Sequence, residues 1–185
     1  MLVVWRTFNR SWGTIVKNAE TALLIATNNS GKLVELRRLL CVTSFDLLSL
    51  KDVGIVHEVA ETGTTFEENA LLKASTYSGQ SGMLTLADDS GLEVDALDGA
   101  PGVLSARFAG ADATDQERNE YLLDRLIGVR GRLRSARFRC VLALASPGAP
   151  TQLFEGECRG HILQSPRGSD GFGYDPIFLL EGSDK

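Results

Sequence analysis

The run Leu23-Leu24-Ile25-Ala26 breaks off at the polar stretch TNNSGK. Directly afterwards Leu33, Leu36 and Leu40 recur at helical spacing, with Glu35, Arg37 and Arg38 on the opposite face. A short, wholly apolar run is the signature of a strand buried on both faces, and a strand that feeds a helix through a glycine turn opens an α/β unit. Few other folds accommodate that order. The chain continues in kind: an apolar segment at Phe45 to Leu50, then a helix from about Phe66 to Ser78 opened by the capping pair Thr65 and Glu68. Met83 to Ala87 reads as a further strand running into Asp88-Asp89. Thr114 and Glu117 open another helix, whose Leu122, Leu123, Leu126 and Ile127 are expected to face inward until Gly128 ends it. In RFRCVLALA the pattern changes from alternating to fully apolar, as in a strand entering the core from the surface, and Gln152 to Ile162 is its expected hairpin partner through SPGAP. The fold class is α/β, a mixed twisted sheet flanked by helices.

At 185 residues and 43% hydrophobic content the chain suits one domain, assigned to residues 21–185. Residues 1–20 read as an N-terminal extension or leader, with Arg6, Arg10 and Lys17 and, before Glu20, no acid. A net charge of −5 argues against nucleic acid and against an anionic membrane surface. No apolar run approaches the ~20 residues of a membrane span. Three cysteines without a CxxC pair suggest neither a disulfide framework nor a zinc site, so a reducing, cytoplasmic setting is expected.

Three stretches carry candidate chemistry. Asp88 and Asp89, at the expected end of a strand, point to opposite faces, so one carboxylate faces a site and the other does not. Such a group can hold a divalent cation or take a proton from water, and either suits attack on a phosphate; a solvated acidic turn is the plainer alternative. TNNSGK offers hydroxyl, amide and ammonium donors at a helix N-terminus, where anions are favoured, although it is not a Walker A loop and an ordinary polar turn remains open. The chain has only five lysines against fourteen arginines, and Lys32 lies in this loop. GSDGFGYDPIF sets Phe172 and Tyr174 among glycines, a platform for a flat ligand or else a tight turn with its aromatics tucked into the core. Asp95 and Asp98 read as turn caps, His57 and His161 as surface or strand residues, and the arginines from Arg118 to Arg139 as a solvated face or a steering patch. Asp89-Ser90-Gly91 also matches the aspartic-protease triplet, but no second copy exists and capped helices do not suit that all-β fold.

Taken in order, TNNSGK, ETGTTFEENALLKA, ADDSGLEVDALDGAPGVLSARFAG, RFRCVLALA and GFGYDPIF resemble the inosine triphosphate pyrophosphatase, or Ham1-like, family over about Leu23 to Phe178. That resemblance implies magnesium-dependent hydrolysis of inosine, deoxyinosine and xanthosine triphosphates to monophosphate and pyrophosphate, by a homodimer that cleanses the nucleotide pool. It implies a triphosphate loop of Thr27, Asn28, Asn29, Ser30, Gly31 and Lys32, further substrate contacts from Lys73 and Ser90, and Asp89 as general base. Glu61 and Asp89 would be the magnesium ligands, and Phe172, Gly173, Tyr174 and Asp175 the base-stacking and ribose-side segment. Asn28 stands where the family commonly has glycine. The family's later lysine and Ser-His-Arg motif, which contacts the purine, is absent from these 185 residues. Weak binding, poor discrimination between inosine and guanosine triphosphates, or a catalytically impaired nucleotide-binding relic is the corresponding expectation.

Overall fold

The computed structural model describes residues 22–168 and 171–183. The expected leader at residues 1–20 lies outside them. Among the described residues one six-stranded sheet runs in the order β2-β1-β3-β4-β5-β6, built from β1 (Ala22–Ala26), β2 (Asp46–Ser49), β3 (Leu84–Val94), β4 (Ser135–Ala145), β5 (Gln152–Ile162) and β6 (Phe178–Leu180). β1 pairs in parallel with both β2 and β3, and every other pairing is antiparallel. The sheet is therefore mixed, as the pattern predicts.

Among the described residues three α-helices cover it: α1 (Ser30–Leu40), α2 (Phe66–Ser81) and α3 (Asp115–Arg125). Thr65 with Glu68 and Thr114 with Glu117 form the two expected capping boxes, each satisfying backbone donors that a helix start would leave open. Strand alternation sends Leu24, Ala26, Ala87, Val141 and Ala143 to one face, where Phe66, Ala70, Ala74 and Tyr77 of α2 bury them. Leu23, Ile25, Leu86, Leu92, Phe138 and Leu142 turn to the other face, against Leu36 of α1 and Leu122 of α3. β4 passes from alternating to continuous burial along its length, the switch read in RFRCVLALA.

Two expectations need correction. β3 does not stop at Ala87 but runs on through Asp88, Asp89, Ser90 and Gly91 to Val94, because β4 pairs with it residue by residue over that whole length. The carboxylates are buried mid-strand groups, not members of an acidic turn. Ile127 lies past the end of α3 and is 80% exposed, since the helix ends at Arg125. Asp98 does take a turn position, with φ of 54°. Among the described residues no helix is long and apolar enough to cross a membrane.

Candidate active site

The register explains where a ligand can enter. β1 pairs with β3 only as far as Ala26 and Ala87, so β3 continues past the end of its parallel neighbour with one edge uncovered. Ligands in α/β sheets bind in such crevices, outside the carboxyl ends of parallel strands. Here a cleft of about 400 Å³ opens, lined by the turn after β1, by Asp89 to Leu92 of β3, by Lys73 and Tyr77 of α2 and by the loop around Phe172.

On one side lies the turn. The Asn29 carboxamide caps α1 by accepting from the Lys32 amide at 3.0 Å, and the Asn29 amide donates to Thr27 Oγ1 at 3.2 Å. Lys32 sits one turn in and reaches back to Asp88, Nζ to Oδ2 at 2.5 Å. Asp88 is 1% exposed. Burial pushes its carboxyl up, yet the Lys32 ammonium, with help from Lys73 and the Ser90 hydroxyl, holds it below the usual carboxylate range. Burial likewise works against the Lys32 ammonium, and Asp88 more than restores it.

Asp89 points to the opposite face and meets different company. Its Oδ2 accepts from the Asn69 carboxamide at 3.0 Å, while Oδ1 lies 3.7 Å from Lys73 Nζ. Lys73 in turn holds Glu61 at 2.6 Å, and Arg107 approaches the other Glu61 oxygen at 3.8 Å. Burial, then the charge of Glu61, outweighs the lysines and Asn69 and raises the Asp89 carboxyl to about 6. Two adjacent aspartates thus end up with opposite tendencies, because the pleat sends one to an ion pair and the other to a desolvated cleft. The segment that carries Glu61 is anchored upstream by the Tyr77 hydroxyl, which donates to the His57 carbonyl at 3.2 Å and accepts from the Val59 amide at 3.1 Å.

Close approaches of glycine shape the rest. A Cβ on Gly91 would stand 2.4 Å from both the Gly102 carbonyl and Ser105 Oγ, so only glycine lets the 3₁₀ stretch Gly102–Arg107 lie against β3 behind Asp89. Ser105 fastens that contact, accepting from the Leu92 amide at 2.9 Å and donating to the Gly102 carbonyl at 2.6 Å. A Cβ on Gly31 would come within 3.0 Å of the Phe172 ring, so the aromatic loop rests on the first turn of α1.

Most residues singled out in the sequence therefore meet in one cleft: Thr27, Asn28, Asn29 and Lys32, with Glu61, Lys73, Asp89 and Ser90, and with Phe172, Gly173 and Tyr174. Ser30, Gly31 and Asp175 are not among its lining residues. Ser30 and Gly31 begin α1, and Asp175 accepts from the Phe172 amide at 3.1 Å to tighten the loop. Tyr174 is 4% exposed with its hydroxyl on the Ser105 carbonyl, and burial pushes that phenol up to about 12. It is part of the wall more than an open platform. Sequence reasoning misses Asn69, which reads as an ordinary helical asparagine, and Arg107. Among the described residues there is no group of three or more His, Cys, Asp or Glu arranged to hold a metal ion.

Known proteins share this arrangement of sequence and fold. A model of the Ham1 family matches residues 23–185. The chain belongs to the Ham1 family. It is 49% identical to the dITP/XTP pyrophosphatase of Bacillus licheniformis, over 88% of this chain and 83% of that one. It is 53% identical to the dITP/XTP pyrophosphatase of Geobacter sulfurreducens, over 86% and 80%. Among solved structures, a HAM1 protein of Coxiella burnetii superposes with a TM-score of 0.77 at 42% identity, covering 85% of this chain and 81% of its own.

Proposed function

We propose that this Ham1-family chain hydrolyses inosine, deoxyinosine and xanthosine triphosphates to the monophosphate and pyrophosphate. The observation that carries the reading is Asp89: a cleft carboxyl raised to about 6, held by Asn69 and flanked by Lys73 and Glu61, in the same cleft as a capped helix start and Phe172. The relatives' name, dITP/XTP pyrophosphatase, describes the same substrate class.

The triphosphate lies along Thr27 to Lys32, whose hydroxyl and amide groups and helix N-terminus favour anions. Phe172 faces the base. With no cation bound, the Asp89 carboxyl at about 6 is mostly ionised at neutral pH, and in this reading it accepts the proton of the attacking water. The oxygen of that water bonds to the α-phosphorus, the bond from that phosphorus to the bridging oxygen breaks, and pyrophosphate departs. Lys32 and Lys73 turn from their carboxylate partners toward phosphate oxygens, donating charge-assisted hydrogen bonds.

The charges here call for a further cation. Lys32, Lys73 and Arg107 face Asp88, Asp89 and Glu61 in close pairs, so the cleft has little positive charge to spare for a triphosphate of about four negative charges. Glu61 and Asp89 fit magnesium, a hard cation satisfied by one or two carboxylates when phosphate oxygens and water complete its shell. The Lys73 ammonium already stands between those two carboxylates. When bound there, magnesium would neutralise the charge that builds on the leaving pyrophosphate. The same reading makes the protein a cytoplasmic homodimer that needs neither nucleic acid nor membrane.

Pyrophosphate release from inosine, xanthosine, adenosine and guanosine triphosphates, with magnesium and with EDTA, tests this. Magnesium-dependent release from inosine and xanthosine triphosphates is the expected result. Metal-independent or absent release from all four refutes it.

A further inference from the structure

We infer that Asp115 and Asn119, one turn apart on α3, are positioning residues that preset the Phe172–Tyr174 loop for the nucleoside end of the substrate. The inference rests on the nucleotide reading above and names residues that the reading does not use. Residues four apart share a helix face, and here both reach the same loop residue. Asp115 Oδ2 accepts from the Gly173 amide at 2.7 Å, and the Asn119 carboxamide donates to the Gly173 carbonyl at 3.1 Å. Gly173 has φ of +62°, a conformation that glycine adopts freely and so does not hold by itself, and both of its polar backbone groups are bound by α3.

The role is positioning because both side chains are committed to the Gly173 backbone, although Asp115 also lines the cleft. Asp115 Oδ1 is bound by the Arg118 guanidinium, which also donates to the carbonyls of Ala106 and Ala113, so both carboxylate oxygens are engaged. Asn119 is 5% exposed and does not line the cleft. What the pair controls is Phe172, the neighbour of Gly173, whose ring rests on Gly31 of the phosphate-facing turn. If the clamp on Gly173 lets go, the platform loses its angle while Lys32, Lys73 and Asp89 stay in place. Ground-state binding of the nucleoside suffers and the chemical step does not.

Asn119→Asp tests this with almost no change in volume, since it sets a carboxylate oxygen against the Gly173 carbonyl where a donor stood. The expected result is a KM for inosine triphosphate raised at least roughly ten-fold, since the variant loses one hydrogen bond and also opposes carboxylate to carbonyl, with kcat unchanged. Inhibition by inorganic tripolyphosphate, which has no nucleoside, should be the same in both proteins. A folded variant with unaltered KM, or one that loses tripolyphosphate equally, overturns the inference. If Asn119→Asp does not fold, Asp115→Ala against Asp115→Asn repeats the test: asparagine still offers Gly173 an acceptor and should keep the wild-type KM, whereas alanine should not. Should the wild-type protein fail to hydrolyse inosine triphosphate, the proposed function falls, and hydrogen exchange still decides the positioning. Faster exchange of the Gly173 amide in the variant supports the clamp, and unchanged exchange overturns it.

Discussion

Replacing the candidate base should make the protein more stable, and by an amount that depends on pH. The Asp89 carboxyl sits at about 6 in the folded chain against an ordinary value of 3.8, with burial the first cause and Glu61 adding to it. A carboxyl whose folded pKa is raised binds its proton more tightly folded than unfolded. Below pH 3.8 both states are protonated and nothing is lost; between 3.8 and 6 stability falls; above 6 the full cost remains. Two units correspond to about 3 kcal/mol at 1.36 kcal/mol each. An asparagine in place of Asp89 carries no charge at any of these pH values and can still accept from Asn69, while Lys73 keeps its shorter contact to Glu61 at 2.6 Å. Asp89→Asn should therefore gain about 1–3 kcal/mol at pH 8, and about half of that at pH 5. Urea unfolding of both proteins in EDTA measures this without stabilisation by bound metal. Hydrolysis should fall by roughly 10²–10⁴-fold, as for loss of a general base. An Asp89→Asn variant no more stable than wild type at pH 8, or a gain that does not shrink on acidification, would refute the reasoning.

Lys32→Ala should weaken triphosphate binding and also cost about 3–5 kcal/mol, because it strands the buried Asp88 carboxylate. The double variant Lys32→Met/Asp88→Leu should recover the stability but not the affinity, which calorimetry and denaturation would separate. Gly91→Ala should destabilise by about 1–3 kcal/mol, since its methyl group must displace Gly102 and Ser105; a melting temperature equal to wild type would contradict that. Arg134 donates to the carbonyls of Leu126, Val129, Ile162 and Leu163, joining the end of α3 to the end of β5. Arg134→Lys should lose about 2–4 kcal/mol in urea unfolding, because one ammonium cannot serve four carbonyls spread over two segments.

What was legible in the sequence was local: β1 and its turn, both capping boxes and the hairpin of β4 and β5 are each written in one continuous stretch of chain. What escaped depends on partners far along the chain. Asp88-Asp89-Ser90-Gly91 looks like a turn by composition, and it is strand only because β4, about fifty residues later, pairs with all of it. The one local hint is period two, with Leu86, Leu92 and Val94 on the same face as Asp88. Arg134 belongs to an arginine-rich stretch read as a solvated face or a steering patch, yet it is 6% exposed, because the carbonyls that receive it come from elements that sequence proximity does not connect. Arg118, of the same cluster, lines the cleft, and Arg137 and Arg139 pair with Glu93 across the sheet.

The position of Asp89 follows from a mismatch in strand length, and that mismatch is worth more to the site than any single side chain. β1 has five residues and β3 eleven, and they part company at Ala26 and Ala87. Two residues further along β3, at Asp89, the edge is open, yet β4 still holds the backbone on the other side. A carboxylate placed there is held by the sheet while it faces the cleft, which a loop would not provide. The same parting sends the chain after β1 into the turn that caps α1, so the anion-favouring helix start and the carboxylate are neighbours by topology. Pleating then divides the two aspartates, one to Lys32 and one to the cleft. A one-residue shift of register that sets Asp89 where Asp88 stands would move it onto the Lys32 face, bring Ser90 to the cleft and leave the cleft without its candidate base.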